Sequence, residues 1–318
     1  MATGLSQSQL LEWYAEHKRD LPWRHTKDSW KILLSEILLQ QTQVSRGIEY
    51  WLKLVERFPT PQAMADADVD EVLHLWQGAG YYSRARRLHA LAGQVCLPSE
   101  QGGFDGSLPT TSKELLGLPG VGPYTAAAVA SIAYGEPVAC VDGNIRRVMA
   151  RQNTLVHPSP KEVENWAKHT LFTADAGNWN QALMELGATV CTPKRPKCDQ
   201  CPVSETCAGK SEPLSFPQPK RITRKRLDLM CELRYDASGL PHLVKRGDEG
   251  ILAGLWGPRM DEKIDVATLS FIGEIKHVLS HRDIFVQVWL GSCQKGTDPS
   301  TVAISSLDRK ILALGGQQ

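Results

Sequence analysis

Glu36 is an acidic side chain that could act as a proton donor or acceptor. The apolar spacing predicts a helix from Asp28 or Ser29 to about Arg46, with Glu36 and Gln43 on one polar face. A carboxyl group on such a face is usually solvated, whereas one buried beside a substrate can exchange a proton with it. The pattern alone leaves both interpretations of Glu36 open.

Asp142 is a second carboxylate, and it has two compatible roles. It stands directly before the run Gly-Asn-Ile-Arg-Arg-Val, which is typical of a helix start, so it could N-cap that helix. It also lies twenty residues after Gly122, the last glycine of a turn that could bind a phosphate backbone. Beside nucleic acid, this carboxylate would stabilise the positive charge that develops on a sugar as its base departs.

The turn Leu-Pro-Gly-Val-Gly at 118–122 could approach a phosphate closely. A short helix, capped by the serine before it, is predicted at 113–117, and a second helix is predicted from residue 123 to about residue 134. Gly120 and Gly122 have no Cβ atom, so their N–H groups and the N-terminus of the second helix can reach an anion. The alternative is an ordinary packing corner between two helices.

Four of the eight cysteines cluster with the spacing of metal ligands. Cys191, Cys198, Cys201 and Cys207 follow the pattern Cys-x6-Cys-x2-Cys-x5-Cys. Four thiolates held so close together need a metal to offset their repulsion, and either zinc or an iron–sulfur cluster would provide it. Structural zinc usually takes two short pairs of ligands, and only one pair is short here. The spacing is therefore unlike that of a usual zinc site, but from the residues alone zinc and an iron–sulfur cluster both remain candidates.

Length and composition fit a globular protein of two or three domains. Of 318 residues, 42% are hydrophobic and 22% are charged, and the formal net charge is +1, which neither demands nor excludes a nucleic-acid partner. No apolar run approaches the roughly 20 residues that span a membrane. The amphipathic N-terminus is unlike a signal peptide, so we expect a cytoplasmic protein with no membrane partner.

Three segments differ in their patterning. Residues 1–208 are predicted to be mostly helical and end in the cysteine cluster, residues 209–226 to form a basic linker, and residues 227–318 to form an α+β domain. The β-like runs of the last segment are 227–235, 242–246 and 284–290. Basic side chains in the linker and between the first two clustered cysteines could contact phosphates or could simply be solvated.

Together these features resemble the adenine DNA glycosylases of the MutY type, within the helix-hairpin-helix DNA glycosylases. The resemblance is carried by Leu-Pro-Trp-Arg (21–24), Ser-Glu-Ile-Leu-Leu-Gln-Gln-Thr-Gln-Val (35–44), Gly-Ala-Gly-Tyr-Tyr-Ser-Arg-Ala-Arg (78–86), the hairpin with Val-Asp-Gly-Asn (141–144), and the cysteine loop. It implies a mainly α fold of helix-hairpin-helix glycosylase domains, six-helix barrel-like, with an iron–sulfur loop. A C-terminal α+β, Nudix-like domain would follow.

The resemblance also implies a reaction. Such enzymes remove adenine mispaired with 8-oxoguanine or guanine from double-stranded DNA, after the adenine is flipped out of the stack. Glu36 would protonate N7 of the adenine as general acid. Asp142, assisted by Asn144, would stabilise the oxocarbenium-like sugar. The four cysteines would hold a [4Fe–4S] cluster, and the enzyme would act as a monomer at the bacterial nucleoid.

Further residues are implied to contact the substrate. Arg24 and Glu185 are expected around the extruded adenine. Gln41 and Tyr81 would wedge into the duplex and contact the oxidised guanine, with Tyr82 as the alternative to Tyr81. Each residue also has an ordinary alternative role, such as a surface charge for Arg24, a solvated acid for Glu185 and a core side chain for Tyr81.

Tyr124 separates two activities of the superfamily. In members similar to endonuclease III, a lysine at this place attacks the sugar and the strand is cut. Because tyrosine cannot form a Schiff base, the resemblance implies a monofunctional enzyme that leaves an abasic site. Tyrosine also occurs here in thymine glycosylases, so a pyrimidine glycosylase is an alternative. A non-catalytic lesion-binding protein is a third, although it would have no reason to keep both Glu36 and Asp142.

The C-terminal segment resembles the Nudix-like domain that recognises 8-oxoguanine in this family. The glutamate-rich helix that true Nudix hydrolases require is absent after Gly257, so the domain should read the base and not hydrolyse a pyrophosphate. The family's Phe-Ser-His element stands here as Leu279-Ser280-His281. Ser280 and His281 can still hydrogen-bond the oxidised base, whereas Leu279 departs from the pattern. The alternative is a simple hairpin tip.

Overall fold

The chain divides into two units, and each of them is made of two separate stretches of sequence. The computed structural model describes residues 5–40, 42–219 and 223–316. The first unit comprises Met1–Ala65 and Ala90–Lys220, and the second comprises Asp66–His89 and Arg221–Gln318. The sequence pattern predicts 1–208 as a single region and gives no sign that residues 66–89 group with the C-terminal part of the chain.

The first unit is built from helices, and the second unit has helices as well as strands. In chain order, the α-helices of both units are α1 (Gln7–His17), α2 (Ser29–Leu39), α3 (Val44–Arg57), α4 (Pro61–Ala65), α5 (Val69–Leu75), α6 (Ser83–Cys96), α7 (Ser112–Leu115), α8 (Pro123–Tyr134), α9 (Gly143–Gln152), α10 (Pro160–Thr170), α11 (Ala176–Thr189) and α12 (Ser306–Gly315). In the first unit, α2 packs against α3 and α8, and α11 packs against α1, α8 and α9. Among the described residues, no helix combines the length and apolar character needed to cross a bilayer.

Helix α2 carries Glu36 and ends earlier than predicted. Asp28 caps its N-terminus by accepting hydrogen bonds from the two amides at positions 30 and 31. The helix stops at Leu39, and Gln43 is extended, so the prediction of one helix to Arg46 was wrong. Helix α3 packs closely against α2, and a Cβ atom at Gly47 would lie 2.8 Å from Cδ2 of Leu39.

The predicted helix-hairpin-helix is formed by α7 and α8. Thr111, and not Ser112, caps α7 by accepting from the amide of Glu114 at 3.3 Å, so the predicted cap was wrong by one residue. Ser112 instead bonds to Glu136 through both its amide and its hydroxyl. Gly120 has φ +79°, a conformation that side-chain-bearing residues rarely adopt, and α8 follows as predicted.

The second unit holds a mixed sheet. Its strands are β1 (Lys225–Tyr235), β2 (Val244–Lys245), β3 (Trp256–Gly257), β4 (Arg259–Asp261), β5 (Ser270–Val278) and β6 (Arg282–Ser292). The main sheet has the order β4-β1-β6-β5, in which β1 and β6 are parallel and the other pairs antiparallel, while β2 and β3 pair separately. One face buries a core with α12, which includes Cys231, Leu233, Ile284, Val286, Val288, Leu307 and Ile311. The α+β prediction is therefore confirmed.

Polar contacts attach residues 66–89 to this unit. Lys245 forms a 2.8 Å ion pair with Asp70. The hydroxyl of Tyr82 donates to the carbonyl of Ile304 at 3.2 Å. These contacts explain why the segment groups with the sheet although the chain on both sides of it belongs to the first unit.

Candidate active site

A cleft of about 550 Å³ opens in the first unit, and both predicted carboxylates line it. This volume is typical of pockets that hold small ligands. The predicted residues at the cleft are Arg24, Glu36, Tyr124, Asp142, Asn144 and Glu185, and α2, α8, α9 and α11 together supply most of them. The helices thus bring together side chains that are up to 161 residues apart in sequence.

Glu36 is buried, which excludes the solvated interpretation. Its Oε2 accepts a 2.7 Å hydrogen bond from the hydroxyl of Tyr124, which also lies 3.1 Å from Sδ of Met184. Burial raises the pKa of Glu36 to about 7, against the opposing hydrogen bond from Tyr124, and the negative charge of Asp142 acts in the same direction as burial. Glu36 can therefore carry a proton near neutral pH.

Asp142 is fixed in place at the N-terminus of α9. Its Oδ1 accepts from the amide of Ile145 at 2.7 Å, and its Oδ2 accepts from Nδ2 of Asn144 at 2.6 Å. Burial raises the pKa of Asp142, while these hydrogen bonds and the charge of Arg147 favour the ionised form. The predicted N-cap is confirmed, and the carboxylate still lines the cleft.

Glu185 forms a buried ion-pair network with two arginines. Arg19 donates to both of its carboxylate oxygens at 2.8 Å, and Arg24 donates to Oε2 at 2.7 Å. Burial alone would raise the pKa of Glu185, but the hydrogen bonds from Arg19 and Arg24 lower it to about 2. The surface-charge interpretation of Arg24 is therefore wrong. Arg19 lines the same cleft and lies two residues before the Leu-Pro-Trp-Arg string, but no motif in the sequence marked it as a site residue.

The four clustered cysteines surround one cavity. Burial raises the pKa of Cys201 to about 11, and the other three thiols act in the same direction because they are close. Among the described residues, no three or more His, Cys, Asp or Glu side chains are grouped so that they could hold a single metal ion. A cubane [4Fe–4S] core separates its four thiolate ligands, so four thiols spread around a shared cavity fit such a cluster by their chemistry and spacing.

Arg147 connects this cysteine loop with the cleft. Its Nε donates to the carbonyl oxygen of Cys191 at 2.7 Å, and its Nη2 donates to Oδ1 of Asn144 at 2.8 Å and to the carbonyl of Gly187 at 2.7 Å. Asn144 in turn holds Asp142. The first cysteine of the loop and the second carboxylate of the cleft are therefore joined by an unbroken series of hydrogen bonds.

The second unit has a cavity of about 570 Å³ at the tip of the β5–β6 hairpin. Tyr81 and Ser280 are hydrogen-bonded to each other there, and His281 also lines the cavity. Tyr81 has φ +49°, which is uncommon for a non-glycine residue, and 42% of its surface is exposed. Leu279 lines the same cavity and also packs against the core of the sheet.

The remaining predicted residues are placed as follows. Gln41 lies outside the described residues. A Cβ atom added at Gly122 would meet nothing within 4 Å, so the backbone there is open to a ligand. Both tyrosines line the cavity of the second unit; the hydroxyl of Tyr82 is bonded to a backbone carbonyl, whereas Tyr81 is exposed.

The chain matches two family models. One, described as HhH-GPD superfamily base excision DNA repair protein, covers residues 34–170. The other, the iron-sulfur binding domain of endonuclease III, covers residues 191–207, from the first to the last clustered cysteine. A thermostable thymine-DNA glycosylase of known structure is similar, with a TM-score of 0.59 and 30% identity over 64% of this chain and 94% of its own. Fold and site therefore define a helix-hairpin-helix DNA glycosylase with an iron–sulfur domain.

Curated relatives narrow this class. The adenine DNA glycosylase of Homo sapiens is 33% identical over 93% of this chain and 68% of its own length. That of Mycolicibacterium smegmatis is 44% identical over 63% of this chain and 68% of its own. The chain belongs to the adenine DNA glycosylase family. It is a base-excision-repair hydrolase that removes adenine from DNA, and its cofactor is a [4Fe–4S] cluster, as the sequence analysis predicted.

Proposed function

We propose that this glycosylase removes adenine mispaired with 8-oxoguanine or guanine in double-stranded DNA, as a monomer, and leaves an uncut abasic site. The observation that carries the proposal is the pair Glu36 and Asp142 in one cleft. One carboxyl group has a pKa of about 7, and the other is hydrogen-bonded at a helix N-terminus. Such a pair suits acid-assisted cleavage of a glycosidic bond.

Glu36 supplies the proton. With the adenine extruded into the cleft, the protonated carboxyl donates to N7, and the electron pair of the C1′–N9 bond leaves with the base. Protonation makes adenine a better leaving group, because the departing purine would otherwise carry a full negative charge. The deprotonated Glu36 then accepts a proton from the water that attacks C1′, so the carboxyl group is restored at the end of the cycle.

Asp142 stabilises the sugar between these two steps. Positive charge develops at C1′ as the bond to the base lengthens, and an anion fixed nearby interacts most strongly with that transition state. The hydrogen bonds from Ile145 and Asn144 leave the carboxylate little freedom to reorient. This preorganisation is the role that we assign to Asn144.

Arg19, Arg24 and Glu185 form the polar wall of the adenine site. Glu185 already accepts hydrogen bonds from both arginines, so the three side chains are held as one rigid unit in the absence of DNA. Adenine presents both donors and acceptors on its edges, and a carboxylate flanked by guanidinium groups can offer the complementary acceptor and donors. This network therefore orients the base towards Glu36.

Tyr124 makes the enzyme monofunctional. Its hydroxyl is bonded to Glu36 and its side chain offers no amine, so it cannot form a covalent adduct that would lead to strand cleavage. The abasic product is therefore released with both strands intact. Gly120 and Gly122, in the hairpin just before it, bind the phosphate backbone through their amides.

The second unit reads the base opposite the adenine. Ser280 and His281, at the hairpin tip, have hydrogen-bonding groups for the oxidised guanine, and Tyr81 shares their cavity. Tyr81 is exposed and its backbone is in a strained region, as befits a side chain that enters the duplex. Gln41 would act with it. We assign this recognition to residues 227–318 as a Nudix-like domain, together with Tyr81 from residues 66–89. Of the basic segment 209–226 that precedes this domain, Lys225 and Arg226 already belong to β1.

The iron–sulfur cluster stabilises the loop of four cysteines. When bound by Cys191, Cys198, Cys201 and Cys207, the cluster provides a covalently anchored core for a loop that is too short to bury one of its own. Three basic residues, Lys194, Arg195 and Lys197, lie between the first two cysteines, and their charges suit contact with DNA phosphates.

A panel of duplexes tests the proposal. The enzyme is incubated with A·8-oxoguanine, A·G, T·G and U·G pairs, and the products are separated with and without alkali. We expect cleavage of the adenine strand in the first two duplexes, and only after alkali. Release of thymine or uracil would identify a pyrimidine glycosylase instead, and strand breaks without alkali would refute monofunctional action. The variant Glu36→Gln is the control for contaminating glycosylases.

A further inference from the structure

A second cavity, of about 490 Å³, adjoins the active site in the first unit. It shares Tyr124, Val141, Asp142 and Gly143 with the cleft, but the remainder of its wall is different. The first residues of three helices line it, namely Pro123 of α8, Gly143 of α9 and Pro160 of α10. The catalytic mechanism described above uses the cleft and assigns no role to this space.

Arg146 is the basic side chain in the wall of this cavity. Its Nη2 donates a 3.0 Å hydrogen bond to the carbonyl of Pro158, which anchors one edge of the guanidinium. Its Nε is buried from solvent and has no hydrogen-bond partner in the described structure. A buried N–H without an acceptor is unfavourable, so the guanidinium would gain a hydrogen bond by turning its Nε towards a ligand oxygen in the cavity.

The charges around Arg146 favour an anion. Two acidic residues also line the cavity, but both already have partners: Glu164 is paired with Lys168 at 2.8 Å, and Asp142 accepts from Ile145 and Asn144. The guanidinium is therefore not neutralised by a neighbouring carboxylate in the described structure. The three helix starts add partial positive charge to the same space. A planar, always charged guanidinium is well suited to phosphate oxygens.

We propose that Arg146 binds the phosphodiester next to the deoxyribose of the extruded adenosine. The proposal rests on the proposed function, in which Asp142 faces C1′ of that sugar. Asp142 lies in the wall of both the cleft and the second cavity. A sugar beside this carboxylate therefore has a flanking phosphate at the cavity that Arg146 lines. The contact would hold the sugar in register with Asp142 while the base occupies the cleft.

The experiment measures binding of a duplex with one A·8-oxoguanine pair whose adenosine carries a 2′-fluoro group and resists excision. Arg146→Met should weaken binding about tenfold or more, and should reduce the slope of log affinity against log salt by about 1. Arg57→Met, a change at an exposed arginine of the same unit, is the matched control and should change neither quantity. Arg146→Lys, which keeps the charge, should recover part of the affinity.

A neutral methylphosphonate then identifies the phosphate. Placed on one side of the adenosine, it should weaken binding by the wild-type enzyme but not by Arg146→Met, because the same contact is lost in both cases. Two results would overturn the proposal. One is that the wild-type enzyme binds the unmodified duplex and the duplexes with a methylphosphonate on either side of the adenosine equally well. The other is that the effects of Arg146→Met and of the methylphosphonate on binding simply add. The comparison of modified and unmodified duplexes with the wild-type enzyme tests the phosphate contact even if Arg146→Met does not fold. Loss of the proposed function would show separately, as absent adenine release by the wild-type enzyme.

Discussion

The hydroxyl of Tyr124 donates a 2.7 Å hydrogen bond to Oε2 of Glu36, the carboxyl group whose pKa burial raises to about 7. Burial favours the protonated carboxyl, whereas this hydrogen bond favours the ionised one. The two effects together set the pKa close to the pH at which a general acid must both hold and donate a proton. Tyr124 thus has a second role besides replacing a nucleophile.

The first prediction concerns this hydrogen bond. The kcat/KM of the wild-type enzyme should fall above a pH of about 7, as Glu36 loses its proton. Tyr124→Phe removes the donor, so the pKa of Glu36 should rise and the alkaline limb should move to higher pH. A hydrogen bond to a charged group contributes about 1.5–3 kcal/mol, which corresponds to a shift of about 1–2 pH units. A pH–rate profile in which both enzymes fall together would contradict this role.

Glu36 should also lower the stability of the protein at neutral pH. Its pKa rises from 4.5 in the unfolded chain to about 7 on folding, so the folded state binds the proton more tightly. Stability is therefore lost as the pH rises from 4.5 to 7, by up to about 3 kcal/mol. Glu36→Gln, which cannot ionise, should abolish adenine release but be more stable than wild type at pH 8. Denaturant unfolding at pH 4 and pH 8 measures the difference, which should vanish at pH 4.

Glu185 should affect the pH dependence of stability in the opposite direction to Glu36. Its pKa falls to about 2 in the folded protein, so its contribution is present above pH 4.5 and is lost as the pH falls towards 2. Glu185→Gln removes a fully buried carboxylate from Arg19 and Arg24 and should cost about 3 kcal/mol at pH 7. The same unfolding experiment measures it. A stability equal to that of wild type at pH 7 would show that the two arginines find other partners.

The sequence predicted those parts of the site that are encoded in short, continuous strings. The hairpin before α8, the N-cap at Asp142 and the cysteine loop each depend on residues only a few positions apart, and local chemistry determines each of them. The burial of Glu36 could not be predicted from the residue pattern, because a polar helix face has the same pattern whether it contacts solvent or other helices. Only the family resemblance favoured the catalytic interpretation.

The parts that the sequence did not predict depend on long-range packing. Arg19 belongs to the site only because α11 brings Glu185 to it from 166 residues away. Helix α2 ends at Leu39 with no glycine or proline there to mark the end, and the close packing of Gly47 on Leu39 has no signature in the local sequence. Likewise, Asp70 and Tyr82 join residues 66–89 to the second unit through single contacts that have no local signature.

A fourth prediction concerns Arg147, which joins the cysteine loop to the active site. Arg147→Gln should lower kcat by about 10–100-fold, because Asn144 loses the partner that holds it against Asp142. The affinity for a duplex with a non-cleavable adenosine should change much less. The visible absorbance of the iron–sulfur cluster, measured on the same preparation, separates this effect from loss of the cofactor. Parallel losses of kcat and of cluster content would assign Arg147 to cluster retention instead.

The last prediction concerns the choice of opposite base. Ser280 shares a hydrogen bond with Tyr81 in the free protein, so its hydroxyl lies at the cavity that we assign to the oxidised guanine. Ser280→Ala should lower the ratio of kcat/KM for A·8-oxoguanine over A·G by about tenfold, the effect of one lost hydrogen bond of about 1–1.5 kcal/mol. Ser238→Ala, in an exposed turn of the same unit, is the matched control and should leave the ratio unchanged. Single-turnover rates on both duplexes measure it. If Ser280→Ala slows both substrates equally, the hydroxyl orders Tyr81 and does not read the base.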